Sequence, residues 1–434
     1  MTESATKKYC IATGDEITEG NDSKAHIIAS ALGGRLKPRG ILCQRGNGVL
    51  GNKFDQPLIE AFQPLMNFLN GSRDRGQNQP MIVTDGSGKK YIFRFGGSLT
   101  LSEPEYEVTE TADGVQVTIK ARTLKEARTL LGRVQAKDPT FDVDEAMKHA
   151  VEEHHWPVGM LGHQFQIGPI ITFPSAFVAA SIFASSKGLG SHPALRSYVA
   201  DFDPNKPALP PDTFYFMPEP RWIATPQTAV AHILSLTGEA GSGRLLVYIE
   251  YFNLVGIGVL LPFAGREDIQ LSYAIDVLSG MEADLYIYPS NLRRVPWTAT
   301  HQLGESSLYS LTQNRFEGVI KLALKRGQDA LSNGMFERAF GAPDGRPLTA
   351  TSYANLIGEV TNYIEQTWKN PAVTCEMRQV QLATFHDFFS KLLGQIPIGT
   401  RSEFSRLATP YKNKLVRSAS EVDTATVPVE SWNL

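Results

Sequence analysis

The sequence predicts an α+β chain, and three observations carry that reading. Two pairs of apolar runs flank Asp85-Gly86 and Asp113-Gly114, the short turn chemistry that closes β-hairpins. Four further apolar runs, AHILSLT, RLLVYIEYFN, VGIGVLLPF and IQLSYAIDVL, succeed one another at hairpin spacing between Ala231 and Leu278 and read as an antiparallel meander. From residue 305 to residue 395 the apolar spacing changes to three and four, which is helical.

Taken in order, the chain opens with a short strand candidate, YCIAT, and a polar loop, GDEITEGNDS. The next stretch, Lys24 to Phe62, is the densest in chemistry. AHIIAS reads as a short strand carrying His26, because paired isoleucines beside small residues suit a half-buried pleated surface. ALGGRLKPRG packs Gly33, Gly34, Pro38 and Gly40 into one loop, from which Arg35, Lys37 and Arg39 project as alternating cations. ILC reads as the return strand, RGNGVLGNKF places Asn47 at a turn, and Asp55 opens a helix whose Leu58, Ile59 and Phe62 share a face. Pro57 suits the first turn of such a helix.

A strand with His, a glycine-rich loop, a strand followed by Asn, and a helix opening on an acid resemble the ββα-metal module of the HNH endonucleases. The likeness covers residues 10 to 62 and is greatest to the branch braced by zinc. It implies that His26 is the general base that activates water. It also implies that Asn47 fixes the loop and the imidazole, and that Asp55, with His26, holds a divalent metal, Mg²⁺ or Mn²⁺. Phosphodiester hydrolysis wants a base titrating near neutrality and a hard cation against the developing charge.

Two departures from the family pattern stand out. Zinc-braced relatives carry two Cys-x-x-Cys pairs; here Cys10 and Cys43 remain as residual thiols, and Thr13 and Gly46 stand where their partners would be, so a complete structural zinc site is not expected. The position before the His, which often supplies a second metal ligand, is Ala25. Gln56 is then the alternative to Asp55 in another helix register, and Asp22 a substitute ligand from upstream.

The formal net charge of −3 excludes a generally basic coat, so nucleic acid has to be met by a local patch. Arg35, Lys37, Arg39, Arg45 and Lys53 form one with no intervening acid, and RDRGQNQP adds Arg73 and Arg75. Three cysteines in 434 residues make no disulfide framework and point to a reducing cytoplasm, and the N-terminus shows no signal-peptide pattern. The most apolar segments, FPSAFVAASIFASS and LVGIGVLLPF, are short for a membrane span and read as core.

After the module a short apolar helix, AFQPLMNFLN, leads to the two hairpins. Two helices follow, TLKEARTLLGRVQAK with Thr123 and Glu126 as a capping box, and DVDEAMKHAVEEHHW capped by Asp142. His149, His154 and His155 at its end suit a surface better than a metal. FPSAFVAASIFASSKGL, with Ser175 near its start, is a buried helix, and DPNKPALPPDTF an extended loop. GEAGSGR lacks the ending of a phosphate loop and precedes a strand, so it is a hairpin turn. Tyr248, Tyr251 and Phe252 read as core. His386 beside Asp387 reads as a helix-face pair with no role, and the tail from Arg401 is poor in core residues.

The expected division is an HNH-like module over 1–80, a small α+β unit over 81–156, a larger α+β domain over 157–400 and a tail over 401–434. The expected activity is metal-dependent cleavage of DNA, with RNA left open, in defence against foreign DNA. The larger domain would sense a signal or dock a second copy or a partner protein. The competing reading is a non-catalytic binding protein whose module has lost its metal.

Overall fold

The structure, a computed structural model, describes residues 7–94, 99–111, 114–151, 167–293 and 305–340, together with seven single positions between 351 and 363. Of the two later helices expected before residue 395, the described positions of the first, Asn355, Leu356, Gly358, Glu359, Asn362 and Tyr363, are helical; the second, the pair His386 and Asp387, the tail, and His154 and His155 lie outside the described residues. The chain forms two compact units: one of Met1–Met81, Ile92–Leu99 and His163–Ala323, the other of Ile82–Tyr91, Thr100–Gly162 and Leu324–Leu434.

The first unit is built on a five-stranded antiparallel sheet. Its strand order is Thr213–Tyr215, Val255–Pro262, Arg244–Tyr251, Ala231–Glu239, Ile269–Asp276. The four apolar runs are all strands, and all pair antiparallel as expected. The simple meander is corrected in one respect. The fourth run returns to the free edge of the first, Leu234 opposite Tyr273, while Thr213–Tyr215 takes the edge of the third. The three inner strands are apolar almost throughout because both faces are covered. Leu234, Leu236, Val247, Ile249, Ile257 and Val259 belong to the main core, and Ile233, Leu246 and Tyr248 pack with Phe214, Phe216 and Trp222 on the other side.

Helix Pro169–Ser186 lies in the main core, buried from Thr172 to Ala184. It begins at Pro169 behind Gly168, so Ser175 is an interior residue. By length and composition it is apolar enough to cross a membrane, and 72% of that window is buried inside the protein. The N-terminal segment shares this core. Phe62 stacks on Phe252 with ring centroids 4.9 Å apart, Phe54 meets Phe202 at 4.6 Å, and buried His232 of the sheet bonds Leu32 O through Nε2 at 2.6 Å.

In the second unit, Asp85 organises a turn: its carboxylate accepts from the amides of Ser87 and Lys89 and from the Tyr91 hydroxyl. Glu105–Thr111 pairs with Gly114–Lys120 in full register. Helix Leu124–Gln135 follows, with Thr123 Oγ1 accepting from Glu126 N and Glu126 reaching back to Arg122 N. Asp142 caps Val143–Lys148, and His149 is exposed beside Glu145.

Candidate nuclease site

The site is built by a loop folded onto itself between two very short strands, Asp22–Ser23 and Leu42–Cys43, which pair Asp22 with Cys43. The expected strand over AHIIAS does not form. Ala25, Ile27 and Ile28 are buried by the chain doubling back, with Ile27 N on Leu36 O at 3.1 Å, and Ser30–Leu32 makes a 3₁₀ turn. Gly34 shows why the loop needs glycine: a Cβ there would sit 1.9 Å from the Ile28 carbonyl oxygen. The doubling-back brings His26, Arg35 and Lys37 to one place.

What they meet is Asp74. His26 Nε2 lies 3.0 Å from Asp74 Oδ2, Lys37 Nζ donates to the same oxygen at 2.7 Å, and Arg35 Nη1 donates to Oδ1 at 3.3 Å. Arg35 Nη2 also donates to Ser72 Oγ at 2.7 Å, and Ser72 N bonds Val277 O of the sheet's last turn at 2.7 Å. Gly280 in that turn has φ +71°, and a Cβ there would lie 2.3 Å from Arg35 Nη2. The side chains of His26 and Asp74 are 15% and 16% exposed, shielded yet reachable.

The electrostatics follow from these contacts. The hydrogen bonds from Lys37 and His26 hold the Asp74 carboxyl well below the usual carboxylate range, so it is ionised. Burial lowers the His26 imidazole; the hydrogen bond and charge of Asp74 oppose this, Lys37 and Arg75 add to it, and the net direction is down. His26 is therefore a neutral imidazole near pH 7, the state that accepts a proton.

The other expected site residues take different places. Asn47 is not at a turn: Cys43 Sγ accepts from Gly46 N at 3.3 Å and caps a helix over Gln44–Leu50, putting Asn47 in its middle, half-buried. Asp55 does not open a helix. The helix runs on through a π turn, Gly51–Asp55, into Gln56–Phe68, and burial pushes the Asp55 carboxyl up to about 7. Its charge faces Tyr251 of the sheet. Gln56 is exposed and bonded to Glu60. Asp22 accepts from Gly40 N at 2.8 Å and faces Arg39 at 3.7 Å, pinning the loop.

Of the expected phosphate-tracking cations, Arg35 and Lys37 converge beside His26. Arg45 is bound by both carboxylate oxygens of Asp15, at 2.8 and 2.9 Å. Lys53 is a correction: its ammonium donates to the carbonyls of Val199 and Phe202 and closes the end of helix Leu195–Asp201, turned into the protein. Asp74 was missed. It sits between Arg73 and Arg75 in RDRG, and nothing local links it to a histidine 48 residues upstream.

The position of each zinc ligand in the braced relatives can be compared directly. Cys10, Thr13, Cys43 and Gly46 do come together, since a Cβ on Gly46 would lie 2.5 Å from Cys10 Sγ, 3.6 Å from Cys43 Sγ and 3.6 Å from Thr13 Cγ2. Hydrogen bonds close the group. Thr13 Oγ1 donates to Asp15 Oδ2 at 2.9 Å, the Cys43 thiol approaches the same oxygen at 3.5 Å, and Arg45 clasps Asp15 from outside. Burial pushes the Cys10 thiol up, but hydrogen bonds from the Thr13 side chain and neighbouring amides outweigh it, and the net direction is down. Two thiols, a hydroxyl and a glycine do not fit a four-thiolate zinc.

Nor does the donor set around His26 fit a divalent cation. It offers one carboxylate, already matched by an ammonium and a guanidinium, with Ala25 beside the histidine. Among the described residues, no three His, Cys, Asp or Glu side chains are grouped to hold a metal.

Compared with known proteins, residues 10–63 match the HNH endonuclease family. No curated protein and no solved structure matches the chain. The matched segment ends before Asp74 and holds His26, the loop cations Arg35, Lys37 and Arg39, and both residual thiols. Over that segment the chain is an HNH endonuclease match, which points to a nuclease-type function on nucleic acid.

Proposed function

We propose that this protein is an HNH-type endonuclease that hydrolyses phosphodiester bonds in DNA, with His26 as the general base. The observation that carries the reading is the convergence of a neutral, reachable imidazole with Arg35 and Lys37 inside the segment that matches a nuclease family. His26 takes a proton from water, the hydroxide attacks phosphorus, and the 3′ or 5′ oxygen departs. Arg35 and Lys37 stabilise the charge that develops on the phosphoryl oxygens. Arg39 and Arg45, both with exposed side chains, and Arg75 add salt-dependent, sequence-independent attraction to the backbone. Mg²⁺ or Mn²⁺ is the cofactor the family resemblance implies, but the donors at His26 do not fit it, and no step here runs through a metal. Cytoplasmic defence against foreign DNA, with the sheet-bearing part docking a signal or a partner, is the biological setting of this proposal.

The test is cleavage of plasmid, single-stranded DNA and RNA by the full chain with Mg²⁺, Mn²⁺ or EDTA. Cutting that falls by roughly 10²–10⁴-fold in His26→Ala, with the circular dichroism spectrum retained, supports it. Ala25 and the closed thiol cluster favour a second reading, a nucleic-acid-binding protein with a degenerate module. DNA binding without cutting under any condition would establish that one instead.

A further inference from the structure

We propose that Asp74, from outside the segment that matches the family, is the positioning residue of His26: it fixes the imidazole as its Nε2–H tautomer and leaves Nδ1 as the proton-accepting atom. The inference rests on the nuclease reading for its kinetic consequence, and on geometry alone for the tautomer.

The geometry is restrictive. A carboxylate oxygen 3.0 Å from Nε2 is an acceptor only, so a bare Nε2 there would set two lone pairs against each other. Nε2 therefore carries the hydrogen, and in the neutral ring Nδ1 is bare. A base must offer a lone pair, and the tautomer decides which nitrogen does so. Among the charged groups that act on His26 are Asp74, Lys37 and Arg75; only Asp74 is an acceptor.

Asp74 can impose this because it is itself held. Lys37 at 2.7 Å and Arg35 at 3.3 Å grip its two oxygens from the loop that carries His26. From the other side, its own segment is tied to the sheet by Ser72 N on Val277 O and to Arg35 by Ser72 Oγ. Gly71 turns the chain out of the preceding helix with N on Met66 O at 2.9 Å. Ring, carboxylate and both cations thus form one braced set. Base and orienting carboxylate come from segments 48 residues apart. The same division of labour, a carboxylate holding a histidine so that its other nitrogen works as the base, serves acyl-transfer triads.

The experiment uses the full chain with ring-¹⁵N histidine, the His26 signals identified by their loss in His26→Gln. At pH 8 the parent is expected to show a protonated-type Nε2 and a bare-type Nδ1. In Asp74→Ala the two move towards averaged values, and Asp74→Glu restores them in part. For cleavage, Asp74→Ala lowers kcat by roughly 10²-fold or more with little change in KM, because Arg35 and Lys37 still meet the substrate while the ring's orientation is lost. An Nδ1–H tautomer in the parent overturns the proposal. So does an unchanged tautomer in a folded Asp74→Ala, or a loss confined to KM. If the parent cuts no nucleic acid, the nuclease reading fails while the nitrogen shifts still judge the positioning, so the two failures are told apart.

Discussion

The thiol cluster and the histidine site of the matched segment stand in contrast. At the thiol end, two of the four metal-ligand positions hold other residues, yet all four positions still meet, closed by Thr13, Asp15 and Arg45. At the histidine end the histidine is present, and it is met by a carboxylate from beyond the segment. Geometry outlives the ligands that usually enforce it when hydrogen bonds and a shared core take over the bracing. A site, by contrast, needs its reacting atom, and its neighbours are exchangeable.

The sharpest way to break the comparison is to return a ligand to the thiol end. Gly46→Cys puts a Cβ 2.5 Å from Cys10 Sγ, and is expected to cost about 1–3 kcal/mol by overpacking in thermal or urea unfolding. Adding Thr13→Cys completes a four-thiolate set, and the double variant is expected to become zinc-dependent, its midpoint rising with Zn²⁺ and falling with chelator. If the double variant ignores zinc, the four positions do not meet in solution as described here.

Asp55 tests whether the expected metal ligand belongs to either end. Its carboxyl titrates at about 7 in the folded chain against roughly 3.9 unfolded. As pH rises through that window the unfolded state gives up its proton first, so the group lowers stability progressively and the loss is complete above pH 7. Asp55→Asn is therefore expected to match the parent near pH 4 and to exceed it at pH 8, by up to about 4 kcal/mol. A variant less stable at pH 8, or a parent stabilised there by Mg²⁺, would mark Asp55 as a charged ligand after all.

The smallest effect is a null. With no zinc holding Cys10 and Cys43, EDTA or a soft-metal chelator should leave the parent's melting temperature unchanged within a degree or so; a fall of several degrees would reveal a metal at the thiols.

How much of this was legible in the chain differs by range of interaction. The turn at Asp85, the cap at Thr123 and the antiparallel runs were readable because their causes are local. Asn47 was misplaced because a cysteine capped the helix, a role sequence reading gives to Ser, Thr, Asp or Asn. AHIIAS resembled a strand because burial was inferred from composition, whereas the loop buries those residues by folding over them. Asp74 and the edge position of Ile269–Asp276 were out of reach for the same reason: each depends on a partner with no local pattern pointing to it.

The π turn at Gly51–Asp55 sets the phase between chemistry and scaffold. Gly46, Leu50, Phe54, Leu58 and Phe62 are all buried and recur every four residues, a stripe that on a regular helix would wind round by about 40° per step. The wider turn takes up part of that drift, so that Gly46 reaches the thiols while Phe62, sixteen residues later, still reaches Phe252. Removing one residue there would rotate the two ends by about 100° against each other. The module and the sheet are geared together through that single irregular turn, and a change of length in it would be read at both ends at once.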